Sequence, residues 1–147
     1  MVVRLGDMTV SWKSTKQVQV PRSTAEAEVA AMAYAGQYLE GTKSLYESMG
    51  VLLNVPTLFC DNRAACYISQ GSGEWRTKAL INRVLGLRSL AGLKIIVINF
   101  KPTAEMAADI LTKYTKKNVL QRCRDLVGCV EFRGLQGPRT PPKRGSP

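Results

Sequence analysis

Aliphatic, β-branched and aromatic side chains crowd the first twenty residues in short runs. Val2-Val3-Arg4-Leu5, a turn at Gly6-Asp7, then Met8 to Trp12 and Gln17 to Val20 predict a β-hairpin. The period then lengthens to that of a helix, expected from about Thr24 to Met49. Ser23 is its expected N-cap, and Glu26, three residues on, completes a capping box. Gly41 marks a weak point in this helix and Gly50 its stop.

Further along, Pro56-Thr57-Leu58-Phe59-Cys60 reads as a short apolar strand ending at Asp61, with Asn62 to Gln70 continuing as a helix. Gly71-Ser72-Gly73 reads as a loop. Over residues 78–91, Leu80, Ile81, Val84, Leu85, Leu87 and Leu90 recur at helical spacing, and Lys94 to Phe100 is the strongest strand signal. Pro102-Thr103 is expected to cap a helix carrying Asp109, and a further helix is expected over Lys117 to Val127. From Arg133 onward the Gly/Pro/Arg/Lys composition cannot bury enough apolar surface to fold. Strands covered by helices in this order make an α/β arrangement.

Composition narrows the chemistry. With 147 residues, 45% of them hydrophobic, the chain has room for one domain with a core. Its formal charge of +10 is uneven: residues 1–112 hold 12 basic and 9 acidic side chains, and residues 113–147 hold 9 and 2. The basic balance therefore belongs mainly to the C-terminal quarter and says little about the folded body. The absence of histidine excludes histidine-dependent catalysis. Four cysteines (Cys60, Cys66, Cys123, Cys129) fit no zinc-ribbon or finger spacing and read as reduced thiols packed as small apolar groups. No apolar run approaches the roughly 18 residues of a membrane span, and Met1-Val2-Val3-Arg4 is too short for a signal peptide, so a cytoplasmic or nuclear location is expected.

Three carboxylates stand out. Glu26 and Glu28 are two apart, so on a helix they point about 200° apart and one alone can face the sheet. Glu28 shares its face with Met32, Ala35 and Leu39, so it is the site candidate and Glu26 the structural one. Asp61 follows an apolar strand, where open α/β sheets place ligand groups, with N-cap of the next helix as its alternative role beside Asn62. Asp109 lies among Ala107, Ala108, Ile110 and Leu111, a setting in which a carboxylate needs a partner or a cation. Converging carboxylates of this kind hold Mg²⁺ against phosphates.

The runs Val10-Ser11-Trp12-Lys13-Ser14 with Lys16-Gln17, Ser23-Thr24-Ala25-Glu26-Ala27-Glu28, Phe59-Cys60-Asp61-Asn62-Arg63-Ala64-Ala65, Arg76-Thr77-Lys78, and Lys101-Pro102-Thr103 through Ala108-Asp109-Ile110-Leu111-Thr112-Lys113 resemble the ribonuclease H region of copia-type LTR retrotransposon polyproteins. The resemblance spans about residues 2–113. It implies a ribonuclease H-like mixed sheet of five strands flanked by helices. It also implies two Mg²⁺ ions, or Mn²⁺ in their place, that hydrolyse the RNA strand of an RNA–DNA hybrid. By motif, Glu28, Asp61 and Asp109 would be catalytic metal ligands, while Arg63, Arg76 and Lys78 would position backbone phosphates. The implied division is a ribonuclease H-like domain over 1–115, a helical extension over 116–132 and a basic tail over 133–147.

The chain departs from that pattern in two places. The family opens with one more strand bearing an Asp, in a Ser-Asp-Ala-Asp-Trp-like run, and the sequence starts after it, so the first strand is expected to be missing. Asp7, in the hairpin turn, is no substitute. Ala79, Leu80 and Ile81 stand where the family follows Arg-Thr-Lys with His-Ile-Asp. The expectation is an ancestral hybrid nuclease impaired in this chain, whose partners would be the hybrid and an upstream reverse transcriptase region. The alternative is a non-catalytic nucleic-acid-binding or interaction module served by the basic tail.

Overall fold

The computed structural model describes residues 1–17, 20–71, 80–112 and 116–129. In chain order they form β1 (Val2–Leu5), β2 (Met8–Trp12), α1 (Thr24–Ser48), β3 (Thr57–Cys60), α2 (Arg63–Gln70), α3 (Ile81–Gly92), β4 (Val97–Phe100), two 3₁₀ turns (Thr103–Glu105 and Ala107–Leu111) and α4 (Lys117–Val127). The fold is mixed α/β, with small sheets flanked by helices, and is consistent with a ribonuclease H-like arrangement.

β1 and β2 pair antiparallel across Gly6, whose φ of +59° suits a residue without a Cβ. Val2 faces Trp12 and Leu5 faces Met8, with an irregularity between Val3 and Arg4. The predicted continuation of the hairpin over Gln17 to Val20 is not a strand at Gln17 or Val20, and residues 18–19 lie outside the described residues. The Gln17 side chain instead donates to the Ala27 carbonyl of α1 at 2.9 Å.

β3 and β4 pair in parallel, Thr57 with Val97 through Cys60 with Phe100, and α2 and α3 make the crossover between them. Among the described residues the two pairs stay separate two-stranded sheets, so the single five-stranded sheet implied by the resemblance is not present in them. No described strand lies between β1 and β3 to hydrogen-bond both.

The core is built on the second pair. Val29, Met32 and Ala35 of α1 pack with Leu58 and Cys60 of β3, Ala65 and Cys66 of α2, Val84 and Leu87 of α3, and Ile96 and Ile98. Gly36 permits the close approach of α1 to α3, because a Cβ there would meet Leu87 and Leu90 side-chain carbons at 3.3 Å. α1 runs unbroken through Gly41.

Two elements differ from the pattern expected of them. The strand predicted from Lys94 begins only at Val97, because Lys94 turns left-handed (φ 56°) and the amides of Ile95 and Ile96 both bond back to the Leu90 carbonyl at the end of α3. Ile96 is buried all the same. The helix expected around Asp109 is two 3₁₀ turns, interrupted where Met106 is extended (φ −81°, ψ 103°). α4 has the predicted bounds and buries Cys123. It ends against the hairpin, where Thr9 Oγ1 donates to the Val127 carbonyl at 2.5 Å.

Candidate functional site

The end of β3 is where the candidate residues meet. Asn62 adopts extended backbone and its Oδ1 accepts the Ala65 amide at 3.1 Å, so Asn62 alone caps α2. That leaves the half-buried Asp61 for another task. Its Oδ2 accepts a hydrogen bond from Thr103 Oγ1 at 2.8 Å.

Glu26 and Glu28 divide as their two-residue offset requires. Glu26 is buried at 6% exposure; its amide bonds to Ser23 Oγ at 3.2 Å and its carboxylate accepts the Arg22 amide. The reach is thus to Arg22 rather than to the Ser23 amide of an ideal capping box. Glu28, half-buried on the other side of α1, offers a carboxylate oxygen to a cluster with Asp61 and the Cys60 thiol. The three ligand atoms all lie within 4.8 Å of one another.

The donor chemistry of this cluster favours a hard cation. Burial, with smaller contributions from Cys66 and Glu28, pushes the Cys60 thiol up to about 12 against the opposing Asn62 amide bond. Burial pushes Cys66 up as well. At neutral pH Cys60 therefore keeps its proton, which leaves the carboxylate oxygens of Glu28 and Asp61 as the hard donors of the cluster. Two carboxylates at this spacing fit Mg²⁺ or Mn²⁺ better than a thiolate-seeking ion.

The remaining candidates lie differently. Asp109 is half-buried on the second 3₁₀ turn and is not a member of the cluster. Arg63, the first residue of α2, is exposed, with its guanidinium 4.6 Å from the centre of the Phe100 ring. Arg76 and Lys78 lie outside the described residues. All four cysteines are free thiols, with Cys129 exposed and the others buried. Among the described residues no helix is long and apolar enough to cross a membrane.

Sequence reasoning missed Thr103. It was expected to cap the following helix, yet it makes no side-chain capping bond and reaches Asp61, 42 residues earlier. Its signals were a hydroxyl beside a proline after the strongest strand and membership of the Lys101-Pro102-Thr103 run. Lys101, part of the same run and given no role of its own by the sequence, has its ammonium 4.9 Å from the Phe59 ring centre.

No family model matches the sequence, and no solved structure matches it. Curated relatives do. The chain is 32% identical over 123 residues to the retrovirus-related Pol polyprotein from transposon TNT 1-94 of Nicotiana tabacum, covering 81% of the chain and 9% of the relative. It is 28% identical over 135 residues to the corresponding polyprotein from transposon RE2 of Arabidopsis thaliana, covering 88% and 9%. With transposon RE1 of the same plant it shares 28% over 129 residues, covering 86% and 9%. The homologues of this chain are thus retrovirus-related Pol polyproteins of plant transposons, of which it spans about a tenth of the length.

Proposed function

We propose that the chain is the ribonuclease H region of a copia-type retrotransposon Pol polyprotein, whose ancestral activity is Mg²⁺-dependent endonucleolytic hydrolysis of RNA in RNA–DNA hybrids. The observation that carries this reading is the convergence of Glu28 and Asp61 at the C-terminal end of β3. The Pol homology supplies the context in which such a site would act.

Glu28 and Asp61 would hold Mg²⁺, or Mn²⁺, whose chemistry when bound is to activate water and offset charge on the leaving 3′ oxygen. Arg63, exposed at the start of α2 beside Asp61, would position a backbone phosphate. Recognition of the hybrid would rest on its shape and 2′-hydroxyls. Arg76 and Lys78 keep the phosphate-positioning role proposed for them by motif.

Two-metal hydrolysis needs a fixed ion spacing of about 4 Å and more oxygen ligands than two carboxylates provide. Asp109 lies outside the cluster, and β1 and β3 belong to separate sheets. Between the hairpin, α1 and the run before β3 lies a mainly apolar groove of about 330 Å³, lined by Val3, Leu5, Val10, Leu39, Tyr46 and Val55. A strand bearing the family's further Asp, in an upstream reverse transcriptase context, would be needed to join the two pairs and complete the ligand set. The 147-residue polypeptide is therefore expected to cleave poorly alone.

The test is a labelled RNA–DNA hybrid incubated in Mg²⁺ with this polypeptide and with one extended upstream by such a strand. The expected result is little cleavage by the first and cleavage by the second that Asp61→Asn abolishes. Robust cleavage by the 147 residues alone, abolished by Asp61→Asn, would overturn the impairment. No cleavage by either would favour the second reading, a non-catalytic nucleic-acid-binding module. Its supporting observation is the run of cations on α4 and at its start, Lys116, Lys117, Arg122 and Arg124, within a C-terminal quarter of net charge +7.

A further inference from the structure

Thr103 makes a bond that its local role does not require. It opens a 3₁₀ turn after Pro102, is exposed, and makes no capping bond of its own. Its hydroxyl donates instead to Asp61 Oδ2 at 2.8 Å. The backbones on either side are already joined, since the Lys101 amide bonds to the Cys60 carbonyl at 2.9 Å. From Thr103 the bonding continues toward the third carboxylate: the Met106 amide bonds to the Thr103 carbonyl at 3.1 Å, and the Asp109 amide to the Met106 carbonyl at 3.3 Å.

A hydroxyl donor on one carboxylate oxygen limits rotation of that carboxylate, and a β-branched threonine has few χ1 options of its own. We infer that Thr103 is a positioning residue that fixes the Asp61 carboxylate for a divalent cation and holds the Asp109-bearing turn against the end of β3. The inference rests on the proposed metal-dependent reading of the Glu28–Asp61 cluster. Partners of metal ligands in this position typically alter metal affinity by about 10–100-fold when removed. Thr103→Val keeps the shape and deletes the donor, whereas Thr103→Ser keeps the donor.

The experiment measures Mn²⁺ affinity by calorimetry or by the Mn²⁺ electron spin resonance signal, on the full chain and on Thr103→Val, Thr103→Ser and Asp61→Asn. Native hydrogen exchange of the same metal-free proteins is followed at the Asp109 and Thr112 amides. The expected result is Mn²⁺ binding that Asp61→Asn removes, that Thr103→Val weakens at least tenfold and that Thr103→Ser largely retains. Affinity within twofold of the unaltered chain in Thr103→Val would overturn the positioning of Asp61. If neither the unaltered chain nor Asp61→Asn binds Mn²⁺, the metal-dependent reading itself has failed, and exchange then decides the remaining claim. Faster exchange at Asp109 and Thr112 in Thr103→Val, restored in Thr103→Ser, sustains Thr103 as the tie between the two segments; unchanged exchange overturns it.

Discussion

The region around α1 and the β3–β4 pair and the region made by the hairpin and α4 are held in different ways. The first is packed: Val29, Leu87 and Ile96 are at most 1% exposed, and five elements, α1, β3, α2, α3 and β4, contribute to one apolar cluster. The second buries Val3 and Cys123 but leaves Met8 and Trp12 about two-thirds exposed. Its links to the rest include exposed side-chain hydrogen bonds, Tyr38 to Ser11, Lys13 to Tyr34 and Ser14 to the Leu111 carbonyl. Packing resists displacement because interiors are dense, whereas an exposed hydrogen bond trades readily with water. Glu28 and Asp61 project from the packed region. Asp109 lies on the second 3₁₀ turn, outside the group of ligand atoms that Glu28, Cys60 and Asp61 bring within 4.8 Å of one another.

The largest expected effect comes from opening the packed region. Leu87→Ala should lower unfolding free energy by about 2–5 kcal/mol, as truncation of a well-packed aliphatic does, while Trp12→Ala on the hairpin should change it by less than about 0.5 kcal/mol. Denaturant titration checks both, and equal losses would break the contrast between the regions.

Amide exchange sharpens the contrast without a mutation. The ladder amides of Val97–Phe100 should exchange at least about tenfold more slowly than those of Val2–Leu5 and Met8–Trp12, because the hairpin opens locally while the β3–β4 pair opens with the core. Equal protection would mean that the hairpin is as firmly integrated as the parallel pair.

Next in size is a pH effect from Cys60. Its thiol has a raised value of about 12 in the fold against an ordinary 9.0, so the folded chain keeps a proton that the unfolded chain releases. The stability this contributes is complete below about pH 9 and is lost as pH rises toward about 12. Cys60→Ala should flatten that part of the pH–stability curve. The same burial should leave Cys60 far slower than the exposed Cys129 toward iodoacetamide at pH 8; comparable rates would show that the packed region opens easily.

The smallest effect is a gain. Ser69, fully buried on α2, has an Oγ without a hydrogen-bond partner among the described residues, so Ser69→Ala should stabilise the chain by up to about 1 kcal/mol. Thermal unfolding of the variant measures it, and a clear loss would mean that the hydroxyl has a role in the packing.

Much of this arrangement was legible because local rules decide it. Ser23 caps α1, the 100° step per residue separates Glu26 from Glu28, and α4 runs over the residues its pattern predicted. What escaped depends on contacts distant in sequence or on single backbone angles. Nothing local announces that Lys94 turns left-handed and draws Ile95 and Ile96 out of the strand, or that an extended Met106 divides a helical pattern into two 3₁₀ turns. The hydrogen bond from Thr103 to Asp61 joins residues 42 apart, beyond any periodicity. The separation of the two strand pairs is likewise a matter of tertiary pairing, which alternation within a strand does not encode.

The proposed function requires the packed region to carry a divalent-cation site at Glu28 and Asp61. Titrating Mn²⁺ into isotopically labelled protein and following the paramagnetic broadening of each amide signal tests it most directly. Broadening centred on Glu28 and on Cys60 to Asn62, and lost in Asp61→Asn, is the predicted result. Broadening centred elsewhere, such as Glu40 and Glu47 on the far part of α1, or none at millimolar Mn²⁺, would contradict it.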